Sequence, residues 1–248
     1  MDMHIPLDKP AHPLHAKAFI NTLKEVYQTF PSAFGCYGQK LESLVAQYCG
    51  SLYAFGMEST ASAITFLTQK FGLVPGDHLL CSSYTSPHMI STLIRNNLTP
   101  IFVDVHENAF ALNPELLEKL ITPKTKGLLL SYPFGLPFSP HPFADFCKKN
   151  SLIFIENVES GLGSQFDHKN LGTFSDAGII HFHPKKFLSL EEGCFVLTDR
   201  DDLIHSFQSQ KQTSRMSDLN GMVGLWALQR QDEAIVRRKQ LFERYHFA

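Results

Sequence analysis

The sequence predicts an α/β protein, a three-layer α/β/α sandwich built around a mostly parallel, mixed sheet. Two observations support this fold class. Short apolar runs alternate along the chain with segments of helical periodicity, and the runs are continuously apolar, as expected for strands buried on both faces. The chain has 248 residues, of which 44% are hydrophobic and 19% charged, which is enough to bury such a sheet.

Each element is predicted from a local pattern. Apolar residues at helical spacing predict six helices, over residues 19–30, 41–48, 59–71, 89–94, 143–148 and 217–245. Asn113-Pro114 adds a helix start, since asparagine is a favourable N-cap and proline a favourable first helical residue. Continuous apolar runs predict strands over residues 79–81, 101–105, 127–132, 152–156, 179–182 and 195–198. The last two have no predicted helix between them, so the sheet should be mixed there.

Composition and charge exclude several classes of function. A net charge of −2 and a pI of about 6.6 give no electrostatic basis for binding nucleic acid or an anionic membrane. No apolar run approaches the roughly 18 residues of a membrane span, and the start MDMHIPLDKP does not resemble a signal peptide. Five cysteines without a C-x-x-C pair indicate reduced thiols in the cytoplasm. The twelve histidines show no metal-ligand spacing, so no metal is expected.

Small hydroxyl residues lie where the chain enters the third predicted helix, in the segment Glu58-Ser59-Thr60-Ala61. The N–H groups and the dipole at a helix N-terminus favour a phosphate, so this segment is a candidate phosphate site. The alternative is that Ser59 or Thr60 only caps the helix. From the residues alone, the capping interpretation is preferred.

Polar residues also follow two predicted strands. After 179–182 comes a segment that ends in Lys185-Lys186, and a lysine at a strand end can point into the ligand-binding crevice of an α/β sheet. Burial would allow such a lysine to form a Schiff base, whereas the alternative is two solvated surface lysines. Asn157 follows 152–156 and is either a site residue or part of an ordinary turn.

Seven segments, in order, resemble the DegT/DnrJ/StrS sugar aminotransferase family of pyridoxal 5'-phosphate (PLP) enzymes, and the resemblance runs almost end to end. The segments are 5–7 (IPL), 38–50 (GQKLESLVAQYCG), 74–77 (VPGD), 100–105 (PIFVDV), 121–126 (ITPKTK), 182–186 (FHPKK) and 215–219 (RMSDL). Each match is weak by itself, but seven in the same order are specific.

The resemblance implies a fold-type I PLP enzyme that aminates a nucleotide-linked keto-sugar for polysaccharide or secondary-metabolite biosynthesis. It implies an amino donor such as glutamate, and a homodimer. Residues 1–205 would form the PLP-binding large domain and 206–248 a helical segment leading to a small domain absent from these residues. Lys186, not Lys185, would carry PLP as the catalytic residue. The resemblance assigns the cofactor contacts to Ser59, Thr60, Ala61, Asn157, Ser160, His181 and Lys186.

At six positions the chain departs from the family pattern. The ring-nitrogen aspartate is Asn157, the glutamine or histidine after it is Ser160, the stacking aromatic is Ser86, the phosphate-binding serine is His181, a glycine is Cys194 and an asparagine is Thr213. Neutral asparagine cannot keep the ring nitrogen protonated, which weakens the electron sink that amino transfer needs.

These departures leave three hypotheses open. The first is an active sugar aminotransferase, and the second is a catalytically degenerate relative that works as a binding or assembly partner. The third is a PLP-dependent dehydratase or epimerase, since some relatives of the family diverge in that direction.

Overall fold

The protein is described by a computed structural model that covers residues 20–21, 23–24, 35–107, 110–159, 161–182, 193–209 and 214–246. Its described strands form a seven-stranded sheet and a short hairpin. The strands are β1 (Tyr53–Met57), β2 (His78–Ser82), β3 (Thr99–Val103), β4 (Thr125–Ser131), β5 (Ile153–Val158), β6 (Gln165–Phe166), β7 (Lys169–Asn170), β8 (Ala177–Phe182) and β9 (Gly193–Thr198).

The large sheet has the order β1-β9-β8-β5-β4-β2-β3, and β6 pairs with β7 in the hairpin. Strands β3, β2, β4, β5 and β8 pair in parallel, whereas β9 runs antiparallel to both β8 and β1. Six strands therefore point in one direction and β9 points in the other. This confirms the predicted mixed sheet, with the reversal in the last strand.

Helices cover both faces of the sheet. They are α1 (Cys36–Cys49), α2 (Thr60–Lys70), α3 (Pro87–Arg95), α4 (Leu117–Leu120), α5 (His141–Lys149), α6 (Asp201–Ser209), α7 (Asp218–Leu228) and α8 (Gln231–His246). Gly50 ends α1 in the left-handed conformation at φ 73°, because glycine adopts this conformation without a steric cost.

Alternate residues of each central strand enter opposite cores. In β4, Leu128 and Leu130 pack in a core with α1 and α5, whereas Leu129 packs in a second core with α2, α3 and α6. A strand buried on both faces needs apolar side chains at every position, which explains why its sequence is continuously apolar. The predicted three-layer α/β/α sandwich is confirmed.

Several elements differ from their predictions. The predicted single helix over 217–245 is wrong, because α7 ends at Leu228 and α8 starts at Gln231. Strand β1, the β6–β7 hairpin and α6 were not predicted. The start at Asn113 leads into a 3₁₀ turn before α4, and the Asn113 side chain accepts the Glu115 amide hydrogen at 3.0 Å. Most of the predicted helix over 19–30 lies outside the described residues.

The predicted domain boundary between residues 205 and 206 falls inside α6, and α7 packs on α1. A Cβ on Gly221 of α7 would lie 2.6 Å from the Gly38 nitrogen of α1, so the two helices touch backbone to backbone. The division into a large domain and a C-terminal segment stays a prediction. Among the described helices, none combines the length and apolar composition that crossing a bilayer requires.

Candidate functional site

The carboxyl edge of the large sheet gathers polar side chains from several strands. Because six strands point the same way, the segments that follow β1, β4, β5 and β8 meet at this edge. Thr60 begins α2 just after β1, Ser131 ends β4, and Asn157 and His181 are the penultimate residues of β5 and β8. Open α/β sheets bind ligands at this edge, so these residues define the candidate site.

His181 joins two of the predicted site residues. Its Nδ1 lies 2.8 Å from the Thr60 hydroxyl, and its Nε2 lies 2.6 Å from Oδ1 of Asn157. Asn157 is fully buried and Thr60 is 7% exposed. One imidazole therefore bridges a residue at the start of α2 and a residue at the end of β5, and we call this unit the His181 bridge.

The amide of Asn157 is held in one orientation. Its Nδ2 donates to Ser131 at 3.1 Å and faces a carboxylate oxygen of Glu159 at 3.4 Å. An ionised carboxylate only accepts hydrogen bonds, so Nδ2 belongs on the Glu159 side and Oδ1 on the His181 side. Oδ1 then requires a hydrogen on Nε2 of His181. In the neutral imidazole, Nδ1 accepts the Thr60 hydroxyl hydrogen.

The first turn of α2 is occupied by its own side chains. Ser59 is the N-cap, and its hydroxyl accepts the Ser62 amide hydrogen at 3.1 Å. The Ser62 hydroxyl donates to Glu58 at 2.8 Å, which holds a carboxylate beside the helix N-terminus. This negative charge is favourable to the helix dipole and repels a phosphate at the same place. Ser59 therefore caps α2, and its role at a phosphate stays a prediction.

The structure brings three residues of the predicted cofactor set into direct contact, namely Thr60, Asn157 and His181. Ser59 and Ala61 adjoin them at the start of α2, and both are half-buried. Their cofactor roles stay predictions. The remaining positions singled out from the sequence, Ser160, Lys186 and Thr213, lie outside the described residues.

Two further departures from the family pattern, Cys194 and Ser86, lie at the carboxyl edge of the sheet. Cys194 is fully buried, and its thiol donates to the carbonyl of Ser59 at 3.4 Å. Burial raises the pKa of the Cys194 thiol, which favours the uncharged form. Ser86, at the position of the stacking aromatic residue, lines a cavity at the carboxyl edge and offers no ring.

The sequence did not single out three residues of the site. They are Ser131, Thr85 and Glu159. The Ser131 hydroxyl accepts a hydrogen bond from Asn157 and lies 2.7 Å from the Thr85 hydroxyl, and the Glu159 carboxylate orients the Asn157 amide. Ser131 carried a usable signal, since it is the polar residue that ends the apolar run of β4, as Asn157 does in β5. Together these residues extend the His181 bridge into a hydrogen-bonded chain that reaches the loop after β2.

Two adjoining cavities open beside this chain. The first, of about 370 Å³, is lined by Thr85, Ser86, Ser131 and Glu159 together with aromatic residues. The second, of about 730 Å³, is mainly apolar, and both contain Tyr84 and Pro133 in their walls.

Three exposed rings lie at these cavities. The ring centroids of Tyr84 and Phe110 are 5.0 Å apart, and those of Phe110 and Phe134 are 5.7 Å apart. Between 43% and 65% of each of these residues is exposed. We call them the aromatic trio. Exposed rings grouped in this way offer flat apolar faces to a ligand.

The described residues do not fit PLP in the arrangement that the resemblance implies. That arrangement puts the phosphate at Thr60 and the ring nitrogen at Asn157, and the His181 imidazole fills the space between those two residues. Both amide hydrogens of Asn157 are directed to other partners, so Asn157 has no donor for an unprotonated ring nitrogen. The amide oxygen of Asn157 is neutral, so it provides no negative charge that would stabilise a protonated ring nitrogen.

Comparison with known proteins identifies related chains. GDP-perosamine synthase of Caulobacter vibrioides is 24% identical over 229 residues, 86% of this chain and 62% of that protein. The dTDP-4-dehydro-2,6-dideoxy-D-glucose 3-dehydratase of Saccharopolyspora spinosa is 28% identical over 191 residues, 74% of this chain and 41% of that protein. NtdA of Bacillus subtilis, solved with bound cofactor PMP, superposes with a TM-score of 0.79 at 22% identity, covering 86% of this chain and 52% of NtdA.

These similarities confirm the resemblance read from the motifs. The solved structure shows the shared fold, and the relatives include enzymes of nucleotide-linked sugar metabolism. The chain spans 62% of the length of the synthase and 41% of that of the dehydratase. The sequence profile of the DegT/DnrJ/EryC1/StrS aminotransferase family matches residues 13–248. The chain belongs to the DegT/DnrJ/EryC1/StrS aminotransferase family.

Proposed function

We propose that the protein binds a nucleotide-linked keto-sugar and serves the amination of that sugar in the biosynthesis of a polysaccharide or a secondary metabolite. Family membership supports this proposal, as do relatives named for GDP-linked and dTDP-linked sugars. The protein would work where these sugars are made, in the cytoplasm. Since the chain spans 62% of the synthase, the reaction itself is part of the proposal.

The pair of cavities at the carboxyl edge is the observation on which this proposal rests. A nucleotide-linked sugar has a hydroxyl-rich end and a flat base, and the two cavities differ in the same way. Thr85, Ser131 and Glu159 offer hydrogen-bonding groups in the cavity of about 370 Å³. Phe110 and Tyr84 offer ring faces in the cavity of about 730 Å³. Both volumes lie in the range of small-molecule sites.

Two forms of this function differ in their chemistry. Amino transfer would need PLP on Lys186, a donor such as glutamate and, by analogy, a homodimer that completes the site. The described residues do not fit PLP, so the geometry of the site does not support this first form. The His181 bridge instead favours the second form, in which the protein is a binding or assembly partner and a homologous enzyme carries out the amination.

Calorimetric titration with GDP-, dTDP- and UDP-linked 4-keto-sugars tests the binding proposal. Phe110→Ala should weaken binding about tenfold, since base–aromatic stacking contributes about 1–3 kcal/mol. Phe134→Ala should also weaken binding, because the sugar loses an apolar ring face in the wall of the smaller cavity. The matched control is Phe242→Ala on α8, where an equally exposed phenylalanine (66%) belongs to another part of the chain. If none of the sugar nucleotides binds, or if all three variants behave alike, the proposed site is wrong.

A second measurement separates the two forms. Protein incubated with PLP, glutamate and the keto-sugar that binds should yield no amino sugar by mass spectrometry if it is a binding partner. Amino sugar formed by the wild-type protein, and lost in Lys186→Ala, would establish the active aminotransferase instead. Sugar binding is expected in both forms. The titration therefore tests the binding site, whereas the incubation tests only whether this chain catalyses amino transfer.

A further inference from the structure

The His181 bridge lies where the family pattern has a serine, and it joins the two ends of the predicted cofactor site. We propose that His181 excludes PLP from this chain, and that this one side chain, more than the missing aspartate at Asn157, keeps the site closed. The inference goes beyond the proposed function, because a protein without PLP can still bind a sugar nucleotide.

The first argument is spatial. A serine in place of His181 would end at its hydroxyl, whereas the imidazole reaches from the Thr60 hydroxyl at 2.8 Å to the Asn157 oxygen at 2.6 Å. A ligand in contact with both Thr60 and Asn157 must displace this ring. Asn157 is fully buried, and the imidazole is hydrogen-bonded to its amide oxygen, so a ligand that uses this oxygen competes directly with His181.

The second argument concerns hydrogen bonds. Displacing His181 breaks two of them and leaves the oxygen of the buried Asn157 without this donor. The net contribution of one such bond corresponds to about a fivefold change in an equilibrium constant, so the pair corresponds to about 25-fold. The His181 side chain therefore competes with PLP for the same hydrogen-bonding groups of Thr60 and Asn157, and it does so at any concentration of PLP.

The third argument concerns charge at the phosphate end. Glu58, the first residue of the candidate phosphate segment 58–61, is held at the start of α2 by the Ser62 hydroxyl at 2.8 Å. Its carboxylate repels a phosphate that would otherwise bind at the N-terminus of α2. The chain therefore opposes PLP at both ends, and the imidazole of His181 blocks the space between them.

The test measures retention of PLP by the full chain. Wild type, His181→Ser, Asn157→Asp and the double variant are incubated with PLP and desalted, and the visible absorbance of retained cofactor is recorded. We expect no retention by wild type and an affinity for PLP that is higher by about 25-fold or more in His181→Ser. Borohydride reduction and peptide mass spectrometry should place the label on Lys186.

The single variant Asn157→Asp distinguishes the two possible causes. An aspartate would accept the Nε2–H of His181 as a charge-assisted hydrogen bond, so the bridge becomes stronger and no PLP is retained. If instead the missing aspartate were the main defect, Asn157→Asp alone would restore retention. That outcome would overturn the inference, as would retention by wild type or a lack of gain in His181→Ser.

Matched controls protect the interpretation. His205→Ser makes the same change at an exposed position of α6 and should leave PLP retention unchanged. His181→Ala opens the same space without a hydroxyl and replaces His181→Ser if circular dichroism shows that the serine variant does not fold. Lys186→Ala in the His181→Ser background should abolish the label, and a persisting label would mean non-specific modification of other lysines.

Discussion

Glu42 provides the clearest pH-dependent contribution to stability. Its carboxylate accepts the Gly56 amide hydrogen at 2.9 Å, which ties α1 to β1 just before the candidate site. Burial is the main cause of a pKa raised from 4.5 to about 7, while the Gly56 hydrogen bond and the charge of Arg215 act in the opposite direction. Glu42 is therefore protonated more readily in the folded protein than in the unfolded chain.

The sign of the pH effect follows from linkage. Because the pKa in the folded state is raised, the folded state binds the extra proton, and the stabilisation is complete below pH 4.5 and is lost as the pH rises through about 7. At 1.36 kcal/mol per pKa unit, this group lowers the free energy of unfolding by about 3 kcal/mol between those limits. Glu42→Gln keeps an acceptor for Gly56 and removes the charge.

Urea unfolding at pH 5 and pH 8 measures this difference. The variant Glu42→Gln should match wild type at pH 5 and be more stable at pH 8 by up to about 3 kcal/mol. The control Glu118→Gln changes an exposed glutamate paired with Lys149 and should have little effect at either pH. The reasoning is refuted if Glu42→Gln shifts stability equally at both pH values, or if it destabilises the protein at pH 8.

Three further predictions concern contacts within the domain. Asp218 is 2% exposed and accepts the Gly38 amide hydrogen at 2.8 Å, so Asp218→Ala should cost about 1–3 kcal/mol in urea unfolding. Asp218→Asn keeps the acceptor and should cost less; equal costs would contradict this role. Gly221→Ala would place a Cβ 2.6 Å from the Gly38 nitrogen, so this variant should have a Tm lower by several degrees in calorimetry. An unchanged Tm would contradict the close packing of α1 and α7. Tyr132→Phe removes a hydroxyl that donates to the buried Glu156 at 2.8 Å and should cost about 1–3 kcal/mol in urea unfolding, whereas no loss would show that other donors satisfy the carboxyl group.

Local patterns identified the strand ends that carry the site. Asn157 was found because it follows a continuous apolar run, and Thr60 because it opens a helix after an irregular segment. Both signals are local, since burial on two faces and helix capping act within a few residues. Ser131 carries the same signal as Asn157.

Long-range contacts explain the errors in element assignment. Strand β1 contains Ala54 and Gly56, which weaken its local signal, and its extended form depends on antiparallel pairing with β9, more than 130 residues away. The helix predicted over 217–245 is interrupted after Leu228, and Gln231, the first residue of α8, is directed inward. Gln231 is 1% exposed, and its amide donates to the carbonyl of Leu162 at 3.4 Å. Periodicity in the sequence carries no information about that partner.

By itself, the sequence determined the fold class and the family, because apolar runs and ordered motifs are properties of neighbouring residues. It also showed that Asn157 and His181 depart from the family pattern, each as a separate substitution. Only the tertiary structure decided that these departures form one unit. Strand order places β5 beside β8 and brings Thr60 to the same edge, so that one imidazole bonds residues 24 and 121 positions away. Hydrogen bonds between distant segments depend on the packing of the whole sheet, which no local pattern encodes.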